Sequence, residues 1–178
     1  MTVRTYFVFS LLVILLVVLL PGALLAGSPC TDKKIIGQEC WTRVEELGLD
    51  FLARVDTGST TTSLHATNIV VAGGSNDPIE NIGRQITFQT VSTTGESRKM
   101  TAEIARIQTV VNAQGREKRY MVWLTLTGGG ISKKVLINLR DRSHMRYKML
   151  VGRDWLADDF LVDVNSEEEL VAIEGEEE

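Results

Sequence analysis

Apolar and polar residues alternate along much of this chain, and the alternation has the period of strands. It is plainest in Ile104-Ala-Arg-Ile-Gln-Thr-Val110 and in Val135-Leu-Ile-Asn-Leu-Arg140, where neighbouring side chains would face opposite sides of a half-buried sheet. The pattern predicts strands over Ile36–Glu46, Leu49–Val55, Arg84–Thr90, Lys99–Val110, Arg119–Leu126 and Lys133–Leu139. Turn formers separate them: Asn76-Asp-Pro78, Thr94-Gly-Glu96, Gln114-Gly-Arg116 and Gly128-Gly-Gly130. Strands at this spacing imply an all-β barrel or sandwich of about 130 to 150 residues. Only Arg153-Asp-Trp-Leu-Ala-Asp-Asp159 reads as a short helix, and Leu170-Val-Ala-Ile173 could add a terminal strand. No internal repeat stands out.

The N-terminus breaks the alternation. After Arg4 no charged residue occurs until Asp32, and Tyr6 to Leu20 is continuously apolar but for Ser10. Pro21-Gly22 and then Ala23-Leu-Leu-Ala-Gly27 follow. A basic start, an apolar core and small residues after a helix breaker describe an export signal. The same run suffices to span a bilayer, at about 20 residues. Residues 1–27 are therefore expected to be a signal peptide or an uncleaved membrane anchor, and the rest is expected in the periplasm or otherwise outside the cytoplasm. Residues 28–166 would form the β domain, and 167–178 an acidic tail.

Charge and cysteines narrow the classes further. The chain of 178 residues carries a net charge of −4, whereas a nucleic-acid partner would call for a basic surface. Export would permit a disulfide between Cys30 and Cys40, although two unpaired thiols fit the spacing equally well. Two cysteines and the distant His65 and His144 do not make a zinc spacing, and His-Glu-x-x-His is absent. Gly128-Gly-Gly130 lacks the Lys-Ser/Thr of a phosphate loop. No metal or cofactor is expected, and neither ATP nor zinc is supported.

The chemistry concentrates in Asp56-Thr-Gly-Ser59, which follows the apolar run Phe51-Leu-Ala-Arg-Val55. One carboxylate is delivered onto a tight turn, where Gly58 lets the backbone reverse. Thr57 and Ser59 are expected to hydrogen-bond around Asp56 and orient it as a general acid or base. Near the other end of the domain, Leu150-Val-Gly152 closes a strand and Arg153-Asp-Trp-Leu156 follows. An ordinary turn and an ordinary strand-to-helix junction would look like this singly. Together, and in this order, they resemble the paired core of retropepsin-type aspartic proteases.

The likeness extends through Ile35-Ile-Gly37, Trp41, Ala53 to Ala66, Asn138-Leu-Arg-Asp141-Arg142-Ser-His-Met145-Arg-Tyr147 and Leu150 to Leu156. These stretches resemble the bacterial retropepsin-like family historically labelled an ATP-dependent zinc protease and associated by name with RimK-type glutamate ligases. Ser59 stands where that family often has Ala, and Gln38-Glu-Cys40 precedes Trp41; neither departure touches the carboxylate. The resemblance implies a small closed barrel of the acid-protease type with one short helix near its C-terminus. It also implies an aspartic endopeptidase. Such an enzyme needs two carboxylates sharing a proton, and this chain has one Asp-Thr-Gly-Ser and no second copy. A homodimer must then bring two Asp56 residues together. The alternative is a non-catalytic module of the same fold that binds a peptide or a membrane-protein partner.

Secondary positions are assigned more loosely. His65 could contact substrate or tie the turn to a neighbouring strand. Asp141 and Arg142 are expected to brace the Gly152 junction as an ion pair, and Arg153 to pair with an acid or lie on the surface. A hairpin around Thr93-Thr-Gly-Glu96 could cover the cleft.

Overall fold

The computed structural model describes residues 33–112 and 115–166. The apolar N-terminal run, Cys30 and the predicted strand at 170–173 lie outside them, so the signal, the disulfide and the tail remain expectations. Among the described residues no helix is long and apolar enough to cross a membrane.

The fold is all-β, as the alternation predicts. Among the described residues twelve strands run in chain order: β1 (Lys34–Ile36), β2 (Glu39–Val44), β3 (Leu49–Val55), β4 (Ser63–His65), β5 (Thr67–Val71), β6 (Gln85–Val91), β7 (Ser97–Glu103), β8 (Arg106–Asn112), β9 (Gly115–Gly128), β10 (Ile131–Arg140), β11 (Met149–Val151) and β12 (Phe160–Val162). One short helix, α1 (Arg153–Leu156), follows Gly152, and a 3-10 turn spans Pro78–Asn81. The main sheet has the order β10-β4-β11-β3-β2-β9-β8, and β9 also pairs with β10. β5, β6 and β7 form a separate three-stranded sheet, and β1 pairs with β12 in parallel.

The pleat explains the core. In β3, Leu49, Phe51, Ala53 and Val55 point inward while Asp50, Leu52 and Arg54 face the other way. Val135, Ile137 and Leu139 of β10 and Leu124 and Leu126 of β9 pack into the same cluster. Trp155 of α1 is fully buried and stacks on Phe160 at 4.5 Å between ring centroids. Burying side chains of this size is worth about 1.5–3 kcal/mol each, so the end of α1 is well anchored.

Two predicted strands prove to be pairs. Ile36–Glu46 divides at Gly37-Gln38 into β1 and β2, which belong to different sheets. Lys99–Val110 divides at Ile104-Ala105 into β7 and β8. Ile104 is fully buried, its N–H donates to the Arg84 carbonyl (2.9 Å) and its carbonyl accepts from Gly83 (2.8 Å). The residue anchors a corner, and alternation persists across it because the side chain still points inward.

Candidate active site

β3 carries Asp56 out of the core. The Asp56 N–H donates to the Val151 carbonyl (3.0 Å), so β11 fixes the point at which the strand gives way to the turn. One carboxylate oxygen, Oδ1, accepts from the Gly58 N–H (2.9 Å) and the Ser59 N–H (3.1 Å). The carboxylate is half-buried, and among the described residues no other acidic side chain shares its hydrogen bonds.

The turn is oriented by backbone, not by the hydroxyls that the sequence suggested. Ser59 Oγ turns away and donates to the Thr61 carbonyl (2.8 Å). Thr57 is exposed and its hydroxyl holds no hydrogen bond among the described residues. Hydroxyl positions were expected because they flank Asp56 in sequence. A tight turn instead aims its own N–H groups at the side chain that opens it.

The second motif locks the turn from beneath. Gly152 lies against Thr61 so closely that a Cβ there would stand 2.7 Å from the Thr61 carbonyl carbon and 2.8 Å from its oxygen. The Gly152 N–H donates to Thr62 Oγ1 (3.1 Å), and the Arg153 N–H donates to the Ser59 carbonyl (2.9 Å). Arg153 acts there through its backbone, while its side chain is exposed. The Asp154 carboxylate accepts from the Thr62 N–H (3.0 and 2.9 Å) and from the Thr62 hydroxyl (2.7 Å). Neither Asp154 nor Thr62 stood out singly in the sequence, although both lie inside the resembling stretches.

A polar layer continues from this loop. Asn138 Nδ2 donates to the Thr62 carbonyl (2.9 Å), and Gln108 Nε2 to Thr61 Oγ1 (2.9 Å). Gln108 lies on β8, so the β8–β9 hairpin touches the turn that follows Asp56. The Thr93–Glu96 turn joins β6 and β7 elsewhere: Thr93 Oγ1 accepts from the Leu52 N–H (2.7 Å) midway along β3.

His65 joins two segments of the chain. It is buried, and its Nδ1 accepts the Arg142 backbone N–H (3.0 Å) while the His65 backbone N–H donates to the Lys148 carbonyl (2.7 Å). Burial holds its pKa below the ordinary 6.5, against the pull of Asp141. Asp141 Oδ1 lies 3.7 Å from Nδ1, but that nitrogen already accepts a hydrogen bond and has no proton to offer.

The expected Asp141–Arg142 ion pair does not form. Asp141 is exposed and caps its own turn, accepting from the Ser143 N–H (2.8 Å) and hydroxyl (2.5 Å). Arg142 points inward, and its Nε donates to the Tyr147 carbonyl (3.0 Å). Adjacent residues were assigned to one another, whereas the chain sends their side chains to opposite environments.

Sequence reasoning also passed over two neighbours of Arg142. Arg119 of β9 is buried and donates from Nε (2.9 Å) and Nη2 (2.6 Å) to Glu117 Oε2. The Arg140 Nε lies 3.9 Å from the same oxygen. Burial, Arg140 and Arg119 push the Arg142 guanidinium below its ordinary value, while the charge on Asp56 pulls it back up. Cys40 is buried, with Sγ 3.4 Å from Thr42 Oγ1, and among the described residues no cluster of metal-ligating side chains occurs.

Residues 35–171 match the model of a RimB-like family described as a retropepsin-like aspartic endopeptidase. A probable alpha-L-glutamate ligase of Shewanella pealeana is 31% identical over 138 residues, covering 74% of this chain and 29% of the relative. One of Parasynechococcus marenigrum is 32% identical over 146 residues, covering 79% of this chain and 30% of the relative. The chain thus spans under a third of the length of these curated relatives. A Legionella pneumophila protein of unknown function with a solved crystal structure is 26% identical, with a TM-score of 0.58, covering 74% of this chain and 93% of that one.

Proposed function

The chain belongs to the RimB-like family of retropepsin-like aspartic endopeptidases, and we propose that it hydrolyses peptide bonds with two Asp56 carboxylates brought together in a homodimer. The observation that carries this reading is the presentation of Asp56. One oxygen is held by two N–H groups, and the turn behind it is locked by Gly152 and Asp154. A carboxylate so fixed, set beside its copy, shares one proton with it. The ionised member draws a proton from water, and the protonated member donates to the carbonyl oxygen of the scissile bond.

Other features fit the same reading. The return pairing of β9 onto β10 is what a small closed barrel would give. Ile35 and Leu161 face one another in the β1–β12 ribbon and are 68% and 55% exposed, which offers a second copy apolar surface. β8 is tied to the turn that follows Asp56 through Gln108 and Thr61. The names of the relatives make glutamate-containing peptides the first substrates to try. With an N-terminal segment of export or anchor type, the domain would work outside the cytoplasm.

A second reading draws on the relatives' length. The matching region is a minor part of proteins named as ligases, so the domain could serve as a binding or regulatory module. The full chain in mild detergent and its Asp56→Asn variant, incubated with a peptide library at acid and neutral pH, separate the two. Cleavage by the first and none by the second supports the peptidase. Equal residual cleavage in both would sink the catalytic assignment.

A further inference from the structure

Three hydrogen bonds lead from a side chain of β8 to the Asp56 carboxylate. Gln108 Nε2 donates to Thr61 Oγ1 (2.9 Å), Ser59 Oγ donates to the Thr61 carbonyl (2.8 Å), and the Ser59 N–H donates to Asp56 Oδ1 (3.1 Å). Gln108 Oε1 also stands 3.3 Å from the Thr61 hydroxyl, and among the described residues this side-chain amide has no other hydrogen-bond partner. The base of the connection is firm. Gln108 pairs with Arg119 across the β8–β9 ladder, just beyond the corner where Ile104 is fully buried. Its half-buried side chain reaches a residue 47 positions away in sequence, and holding so long a side chain in one rotamer costs conformational entropy. Asp154 and Gly152 secure the far side of the loop, through Thr62 and the Thr61 backbone. Among the described residues neither hydrogen-bonds the Thr61 hydroxyl, which lies between Gln108 and Asn138 Nδ2 (3.3 Å).

We infer that Gln108 is a positioning residue for the Asp56 carboxylate, acting through Thr61 and Ser59. This rests on the peptidase reading for its reaction and adds the residues that aim the carboxylate. With its hydroxyl pinned by Gln108, Thr61 keeps its carbonyl in one direction, and that carbonyl restrains the Ser59 hydroxyl. The Ser59 amide is then held on Asp56 Oδ1. The hydroxyl that turns away from the carboxylate thus still bears on it, at one remove. Misplacing a reacting group by about 1 Å can cost about a hundredfold in rate, so a link that restrains Oδ1 acts on turnover. Gln108 needs no contact with substrate to do this.

The test is a double-mutant cycle in the full chain in mild detergent, on a peptide that the wild-type chain cleaves. Gln108→Leu and Ser59→Ala each break one link. Each should lower kcat by about tenfold while KM stays within about twofold, as expected for lost alignment and not lost binding. The double variant should be at most about twofold slower than the slower single, because both changes break the same connection. Thr61→Ser keeps the hydroxyl and should retain most of the rate, whereas Thr61→Val should fall with the others. Melting curves identify any variant that fails to fold; if Gln108→Leu does, Gln108→Asn, one methylene short of Thr61, replaces it in the cycle. Losses that multiply to about a hundredfold in the double variant, or a wild-type kcat in Gln108→Leu, overturn the inference. Should no peptide be cleaved, hydrogen exchange at the Ser59 amide tests the link independently of cleavage. Exchange faster by at least about fivefold in Gln108→Leu and Thr61→Val, with the β3 amides unchanged, upholds the positioning of the turn while the peptidase reading falls. Unchanged exchange at Ser59 removes the positioning role too.

Discussion

Gly152 lies against Thr61 with no room for a side chain: a Cβ would come within 2.7 Å of the Thr61 carbonyl carbon, 2.8 Å of its oxygen and 3.0 Å of its nitrogen. The backbone at Gly152 is extended, with φ −101°, so glycine is needed there for space and not for conformation. All three obstructing atoms are backbone, and backbone cannot rotate aside. Gly152→Ala should destabilise the chain by about 1–3 kcal/mol, the usual range for overpacking. Displacement of Thr61 would also move the turn that holds Asp56. Chemical denaturation gives the first effect, and activity measured where the variant is still folded gives the second. Unchanged stability would mean that the loop can slide.

Asp154 holds Thr62 from two sides, accepting its N–H and its hydroxyl while the same hydroxyl accepts from Gly152. Asp154→Ala leaves the Thr62 N–H without its acceptor, and such losses cost about 1–3 kcal/mol. Thr62→Val removes only the hydroxyl bonds and should cost less than Asp154→Ala. Equal losses in urea titrations of the two would show that the N–H bond contributes little.

His65 gives stability a slope with pH. Its pKa in the folded chain is held below 6.5 by burial, so the unfolded chain binds its proton more readily. The stabilisation is fully present above pH 6.5 and is lost as pH falls toward the lower folded value. Replacement by Gln, which can still accept the Arg142 N–H, should flatten the loss of stability as pH falls through the interval below 6.5. Denaturation midpoints across that interval check it, and an unchanged slope would point to another titrating group.

Much of this was legible in the chain. An apolar, β-prone run marked Leu49–Val55 and partial alternation marked the interior of β10, because one face of each strand is buried. Asp56 and Gly152 were found as a pair because each motif is local and their order is informative. Short strands such as β4 and β12 were not, since three residues carry no period. Nor was the Arg119–Arg140–Arg142 cluster, which β-pairing assembles from separate strands. The Ile104 corner stayed hidden for a related reason: it turns the chain without disturbing the alternation.

Mixing of subunits tests whether two Asp56 residues act together. If activity needs a carboxylate from each copy, a wild-type chain paired with an Asp56→Asn chain is inactive, since one carboxylate cannot both take and give the proton. When the two chains are unfolded together, refolded at a fixed total concentration and allowed to pair at random, activity should follow the square of the wild-type fraction. An equal mixture then retains about one quarter of the wild-type rate under two-fold pairing. Dilution should reduce the specific activity of the unmixed wild-type chain as dimers dissociate. A mixture retaining half the rate, with specific activity independent of dilution, would mean that each Asp56 works within its own chain. The shared dyad would then have to be abandoned.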